Sequence, residues 1–176
     1  MKTVKDMTQL EIAAFICSHL KQHAIEVVLS GGALTSYYSN NKYVSKDVDL
    51  IDVYSVSRRK LISAMQEIGF VEKNRYFHHP DSEYIVEFPP GPLTVGDEIV
   101  KETYQVKFST GFLTVMSPTD CVKNRLAAYY HWGDKPALAQ AILVAKQRKV
   151  NIEEIEKWSH KEGKPKEFQV FKNMLS

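Results

Sequence analysis

Three acidic residues and a pair of glycines carry the chemistry for which this sequence can be read. Asp47 and Asp49 stand two apart in the run DVDLIDV, and Glu87 sits near the end of a later apolar run, YIVEF. Side chains alternate along a strand, so Asp47, Asp49 and Ile51 project to one side and Val48, Leu50 and Asp52 to the other. Two carboxylates on one strand face, about 6 to 7 Å apart at the backbone, repel each other unless they share a hard cation. Mg2+, or Mn2+ in its place, takes oxygen ligands and keeps waters that phosphate oxygens can replace. Upstream, IEVVLSGG reads as a short buried strand ending in Ser30, Gly31 and Gly32, with the helix-like ALTSYY beyond it. Backbone N–H groups at such a turn, backed by a helix N-terminus, suit an anion. The stretch is not a Walker P-loop, which needs a longer glycine-rich run ending in lysine and serine or threonine, and it lacks the third glycine of a Rossmann fingerprint.

Each part alone has a bland reading. Gly31-Gly32 can be a simple strand-to-helix turn, and the aspartates can be surface residues at a strand start. An acid near the end of YIVEF lies either at a wet sheet edge or in a site. Glu83 shares the face of Glu87 by parity, and Glu98 follows on the next loop, so both stay open as the third acid. Asp52 falls on the other face and receives no metal role.

The elements that must position these groups follow from periodicity. TQLEIAAFICSHLKQH repeats apolar residues at Ile12, Ile16 and Leu20, as an amphipathic helix does. Leu61, Ile62, Met65 and Ile68 make a second helical stripe that stops at Gly69. VEKNRYF, EYIVEF, YQVKF and FLTVM read as strands, and PPGPLTVGDE between them as a loop of enforced shape. From Ser117 the pattern turns helical: Ser117 as N-cap with Pro118 at the first position, then PALAQAILVAKQRK, then a helix from Asn151 carrying Ile152, Ile155 and Trp158. The expected fold is α+β, a mixed β-sheet with helices packed on it in residues 1–116, and a small C-terminal helical unit in residues 117–176 docked on that core.

Bulk properties narrow the field. A chain of 176 residues with a formal charge of +2 is too nearly neutral to imply nucleic acid by itself, although lysines gather between Lys146 and Lys172. Cys17 and Cys121 lie in helix-like patterns and read as reduced core thiols. There is no 18-residue apolar run and no signal-like N-terminal segment, so a cytoplasmic protein without membrane attachment is expected. His78-His79 on one strand point oppositely and make a poor metal pair. His131-Trp132 can stack on a base, but a tryptophan at a helix end is more often packing.

GGALTSYYSNNKYVSKDVDLI resembles the signature of the minimal nucleotidyltransferase superfamily, the DNA polymerase beta-like nucleotidyltransferase fold. There a Gly-Gly or Gly-Ser turn precedes an Asp-x-Asp strand, and a third carboxylate comes from a later strand. Gly31, Gly32, Asp47, Asp49 and Glu87 are the matching positions. SPTDCVKNRLAAYYHWGDKPALAQA is similar to the helical segment that follows the sheet in uncharacterised bacterial members and in the abortive-infection toxin-like group, where basic side chains lie near the nucleotide. Lys123, Arg125 and Lys135 are the matches, with Lys123 first in line. Many relatives have arginine just before the first acid; this chain has Lys46, so a bidentate phosphate contact becomes a point charge.

The resemblance implies an enzyme, with Asp47, Asp49 and Glu87 holding Mg2+ or Mn2+. Its substrate would be a nucleoside triphosphate, with phosphates over Ser30, Gly31 and Gly32, and Lys46, Lys123 and Arg125 as further contacts. The nucleoside monophosphate would pass to an unidentified small-molecule, RNA or protein acceptor. The alternatives are a catalytically inactive nucleotide-binding or regulatory protein, or a toxin-like component held by a neutralising partner protein.

Overall fold

The computed structural model describes residues 2–176. Helix α1 (Gln9–Gln22) starts at a capping box: Thr8 accepts from Glu11 N–H, and the Glu11 carboxylate accepts from Thr8 N–H. Such a cap stabilises a helix by about 1 kcal/mol. Ile12, Ile16 and Leu20 are completely buried, as the apolar stripe requires.

Strand β1 (Val27–Ser30) is buried throughout and runs directly into α2 (Gly31–Tyr38). Next come β2 (Asp47–Asp52), α3 (Arg58–Glu67), β3 (Val71–Lys73), β4 (Tyr76–His78) and β5 (Ile85–Glu87). A small two-stranded unit, β6 (Thr94–Val95) with β7 (Glu98–Ile99), precedes β8 (Thr103–Phe108) and β9 (Gly111–Met116). The main sheet has the order β3-β4-β5-β2-β1-β9-β8. It is mixed: β1 pairs antiparallel with β2 and parallel with β9, while β2 pairs parallel with β5. Strands β1 and β2 are therefore central, and their ends carry the glycine turn and the acids.

Two segments differ from the sequence reading. VEKNRYF is a hairpin rather than one strand, because Asn74 and Arg75 adopt φ of 52° and 74° and reverse the chain. PPGPLTVGDE also forms a hairpin, with Val95 opposite Glu98. Its strands of two residues each are too short to show a period.

Four helices complete the chain: α4 (Pro118–Trp132), α5 (Lys135–Gln147), α6 (Ile152–Lys161) and α7 (Pro165–Leu175). Ser117, Asp134 and Asn151 cap the first three by accepting backbone N–H groups at 3.0, 3.1 and 3.1 Å. The last helix, from Pro165, has no counterpart among the elements expected from periodicity. One apolar cluster joins the helices to the sheet, running from Met7 to Phe171. Trp158 is 2% exposed, stacks on Tyr130 and donates Nε1–H to the Val95 carbonyl at 3.1 Å, tying α6 to the β6–β7 hairpin. Arg148 donates to the Tyr38 carbonyl at 3.0 Å, tying the end of α5 to α2. Among the described residues no helix is long and apolar enough to cross a membrane.

Candidate active site

Strand register brings the glycine turn and the acids together. Asp49 lies opposite Ser30 on one side and beside Glu87 on the other, since β2 pairs with both β1 and β5. Asp47 is two residues earlier on the same face, at the exposed start of β2. Gly31 has φ of +66°, and a Cβ built on it would overlap the Asp49 carboxylate. Any other residue there would be strained and would push the acid away. Gly32 is equally confined: a Cβ on it would lie 2.9 Å from Ser45 Cβ and 3.2 Å from Tyr43 Cε1. The two glycines are the means by which the phosphate-loop-like turn and the acidic strand approach each other.

The segment before the acids is held by a residue with no motif to mark it. Gln9, in the first turn of α1, donates its side-chain amide to the carbonyls of Ser45 (2.7 Å) and Asp47 (3.0 Å). Ser45 Oγ accepts from Asp47 N–H at 3.1 Å. Together they fix the backbone from which Asp47 projects.

Burial pushes the Asp49 carboxyl up from 3.8 to about 6, helped by the Glu87 charge and, less, by Asp47; Arg125 pulls it back down. Partly buried carboxylates without a counter-ion are the donor set a hard divalent cation relieves. All-oxygen ligands on adjacent strands therefore fit Mg2+ or Mn2+. The set is open. Among the described residues, the group with three donor atoms all within 4.8 Å of one another is His19, His23 and Glu67, not the acid trio.

The cations divide differently from the sequence expectation. Lys123, the first residue expected at the triphosphate, is buried to 1% exposure, with Nζ 2.7 Å from Glu154, 3.5 Å from Glu98 and 3.8 Å from Asp120. Two residues along a helix are about 200° apart, so Lys123 and Arg125 point to opposite sides of α4. Arg125 is the one whose field reaches Asp49. It is braced by Asn124 at 3.1 Å and Gln140 at 3.3 Å. Lys46 is exposed and pairs with Glu83 at 3.0 Å. That pairing places Glu83 ahead of β5 and occupied, while Glu98 belongs to the Lys123 cluster; of the three candidate acids, Glu87 is the one aligned with Asp49.

Other groups fall outside the site. Asp52 accepts from the N–H groups of Tyr54 (3.2 Å) and Val56 (2.7 Å), a turn-capping role. Lys135 is exposed at the start of α5. His131 pairs with Glu162 at 2.9 Å, and Trp132 is 80% exposed. A cavity of about 400 Å³ opens at the other end of β1 and β2, beside Val27, Val53, Tyr54 and Leu93, and none of the three acids lines it.

No protein-family model matches the chain, and no curated protein sequence matches it. Solved structures do. The antigenic nucleotidyltransferase-like protein of Paracoccidioides brasiliensis aligns over 78% of this chain and 74% of its own, with a TM-score of 0.56 and 16% identity. ANT(2'')-Ia in complex with adenylyl-2''-tobramycin aligns over 97% of this chain and 100% of its own, with a TM-score of 0.56 and 13% identity. The solution structure of the antibiotic-resistance factor ANT(2'')-Ia gives a TM-score of 0.51 at 12% identity, over 94% and 89%. With the mixed sheet and the packed helices already described, this architectural likeness shows that the chain has the nucleotidyltransferase fold.

Proposed function

We propose that the chain transfers a nucleoside monophosphate from a nucleoside triphosphate to an acceptor hydroxyl, with Asp47, Asp49 and Glu87 as the metal ligands. The observation that carries this reading is the position of Asp49, which abuts the Gly31 turn and lies beside Glu87 in register. N–H groups of the Ser30-Gly31-Gly32 turn bind the phosphates, and Arg125 neutralises part of their charge. A bound Mg2+ or Mn2+ supplies charge neutralisation and acidifies the acceptor hydroxyl. The acceptor oxygen attacks the α-phosphorus in line; the new P–O bond forms as the bond to the pyrophosphate oxygen breaks, and the hydroxyl proton leaves to Glu87 or to water. Positioning and electrostatics supply the rate.

The adenylyl-tobramycin bound to ANT(2'')-Ia makes ATP and tobramycin the first substrate pair to try, before wider sets of small molecules and RNA. A second reading, a nucleotide-binding protein without turnover, is favoured by one observation: Lys123 is engaged by carboxylates and leaves the phosphates one cation fewer. The toxin-like role, with its neutralising partner, rests on the sequence resemblance alone.

Pyrophosphate release by the purified chain, with each nucleoside triphosphate, Mg2+ or Mn2+, and an acceptor panel, tests the proposal. Metal-dependent release lost in Asp49→Asn supports transfer. Triphosphate binding without release supports the silent reading, and a folded protein that binds no triphosphate removes both.

A further inference from the structure

A second group of potential ligands lies away from the acids. His19 lies in the last turn of α1 and His23, four residues on, is its C-cap, so the two share a side of the helix end, and their ring centroids are 4.7 Å apart. Glu67, the last residue of α3, reaches both: its Oε2 is 3.0 Å from His23 Nε2 and 3.7 Å from His19 Nε2. The three donor atoms lie within 4.8 Å of one another. His19 Nε2 is also 2.8 Å from the Ala64 carbonyl, which steadies the ring against α3.

We propose that His19, His23 and Glu67 bind one divalent transition cation of the Zn2+ class, clipping the end of α1 to the end of α3. Zn2+ holds imidazole nitrogen and carboxylate oxygen at about 2.0 to 2.2 Å, which in a tetrahedron sets ligands roughly 3.3 to 3.5 Å apart. The separations of 3.0 and 3.7 Å already bracket that value. Binding through His19 Nε2 shifts that ring's proton to Nδ1 and gives up the contact with the Ala64 carbonyl, and water completes the fourth position. The histidines are half-buried and Glu67 is exposed, so a cation has access without unfolding.

The ordinary alternative is an ion pair between Glu67 and a protonated histidine. That arrangement serves one ring at a time, because two adjacent imidazolium ions repel. A divalent cation with neutral imidazoles satisfies all three groups. The cluster is also distinct from the acid trio: Gln9 touches the Asp47 backbone, and His19 lies ten residues further along α1, or about 15 Å at the helical rise. The two sites differ in preference too, since nitrogen donors favour Zn2+, Ni2+ or Cu2+ and all-oxygen donors favour Mg2+ or Mn2+.

The test uses the full chain carrying Asp47→Asn and Asp49→Asn, so that the acid site does not contribute. Co2+ titration should give the visible absorption of an imidazole-ligated ion at one equivalent, displaced by Zn2+, and Zn2+ should raise the Tm. Adding His23→Gln should weaken affinity by at least about tenfold and abolish the Tm rise. Glu67→Gln, on an exposed residue, should do the same and guards against misfolding of the histidine variant. Equal Zn2+ affinity with and without His19→Gln and His23→Gln, or a Tm response to Mg2+ as large as that to Zn2+, overturns the proposal.

Discussion

The carboxylates around Lys123 and those at the glycine turn, three in each place, are solved in opposite ways. Around Lys123, the side chains of Glu98, Asp120 and Glu154 converge on an ammonium that is itself buried, and the cluster joins β7, α4 and α6. At the glycine turn, Asp47, Asp49 and Glu87 face one way with no such partner: none of the ion pairs among the described residues includes them. Arg125 acts on Asp49 only from a distance. In one place the chain supplies its own counter-charge and gains a fixed joint. In the other it leaves negative charge exposed to whatever cation arrives from solution, at a cost to its own stability.

That contrast is open to attack from its strongest consequence downward. Asp49→Asn should lower turnover by at least about a thousandfold while raising the Tm of the metal-free protein. The sign follows from the raised carboxyl: folding is favoured by this group below 3.8 and loses that contribution as pH climbs through about 6. Removing the charge at neutral pH should therefore return on the order of 1 to 2 kcal/mol. A variant that loses Tm along with activity would make Asp49 a structural acid.

Lys123→Met should do the reverse, costing on the order of 1 to 3 kcal/mol in urea unfolding as three carboxylates lose their shared partner. Nucleotide affinity should stay within about twofold. If affinity falls tenfold and stability holds, the two clusters have exchanged roles. Arg125→Met should weaken triphosphate binding by about tenfold, the value of one charge-assisted contact. It should also move the Asp49 carboxyl further up, visible in an NMR titration.

Acid should separate the clusters as well. Mg2+ affinity should drop about tenfold between pH 7 and pH 5 as Asp49 takes its proton, with the midpoint near 6. The smallest effect is expected from Gln9→Ala, which removes two hydrogen bonds to the backbone beside Asp47. Turnover should fall severalfold with about 1 kcal/mol of stability, and a neutral outcome would mean that Ser45 alone holds the segment.

What the residues disclose in advance depends on how local the cause is. Alternation in DVDLIDV puts Asp47 and Asp49 on one face, and the caps at Ser117 and Asn151 are legible because each acts within three residues. The β3–β4 reversal is hidden because Asn74-Arg75 lacks the glycine that usually marks a turn with positive φ. Lys123 is misleading for another reason. Helical phase separates it from Arg125, but only the positions of Glu98 and Glu154 show that Lys123 is taken up by its own carboxylates. Gln9 acts across 36 and 38 residues, and Glu67 meets His19 and His23 from a different helix. No window along the chain contains both partners.

The chain's two tryptophans occupy opposite environments: Trp158 is enclosed beneath the β6–β7 hairpin, and Trp132 stands in water at the end of α4. Intrinsic fluorescence is therefore a built-in two-colour gauge, blue emission reporting whether the hairpin stays seated on α6 and red emission serving as its internal reference. Quenching by a small solute should strip the red component first, and any loosening of the hairpin should be seen as blue light converting to red without a label.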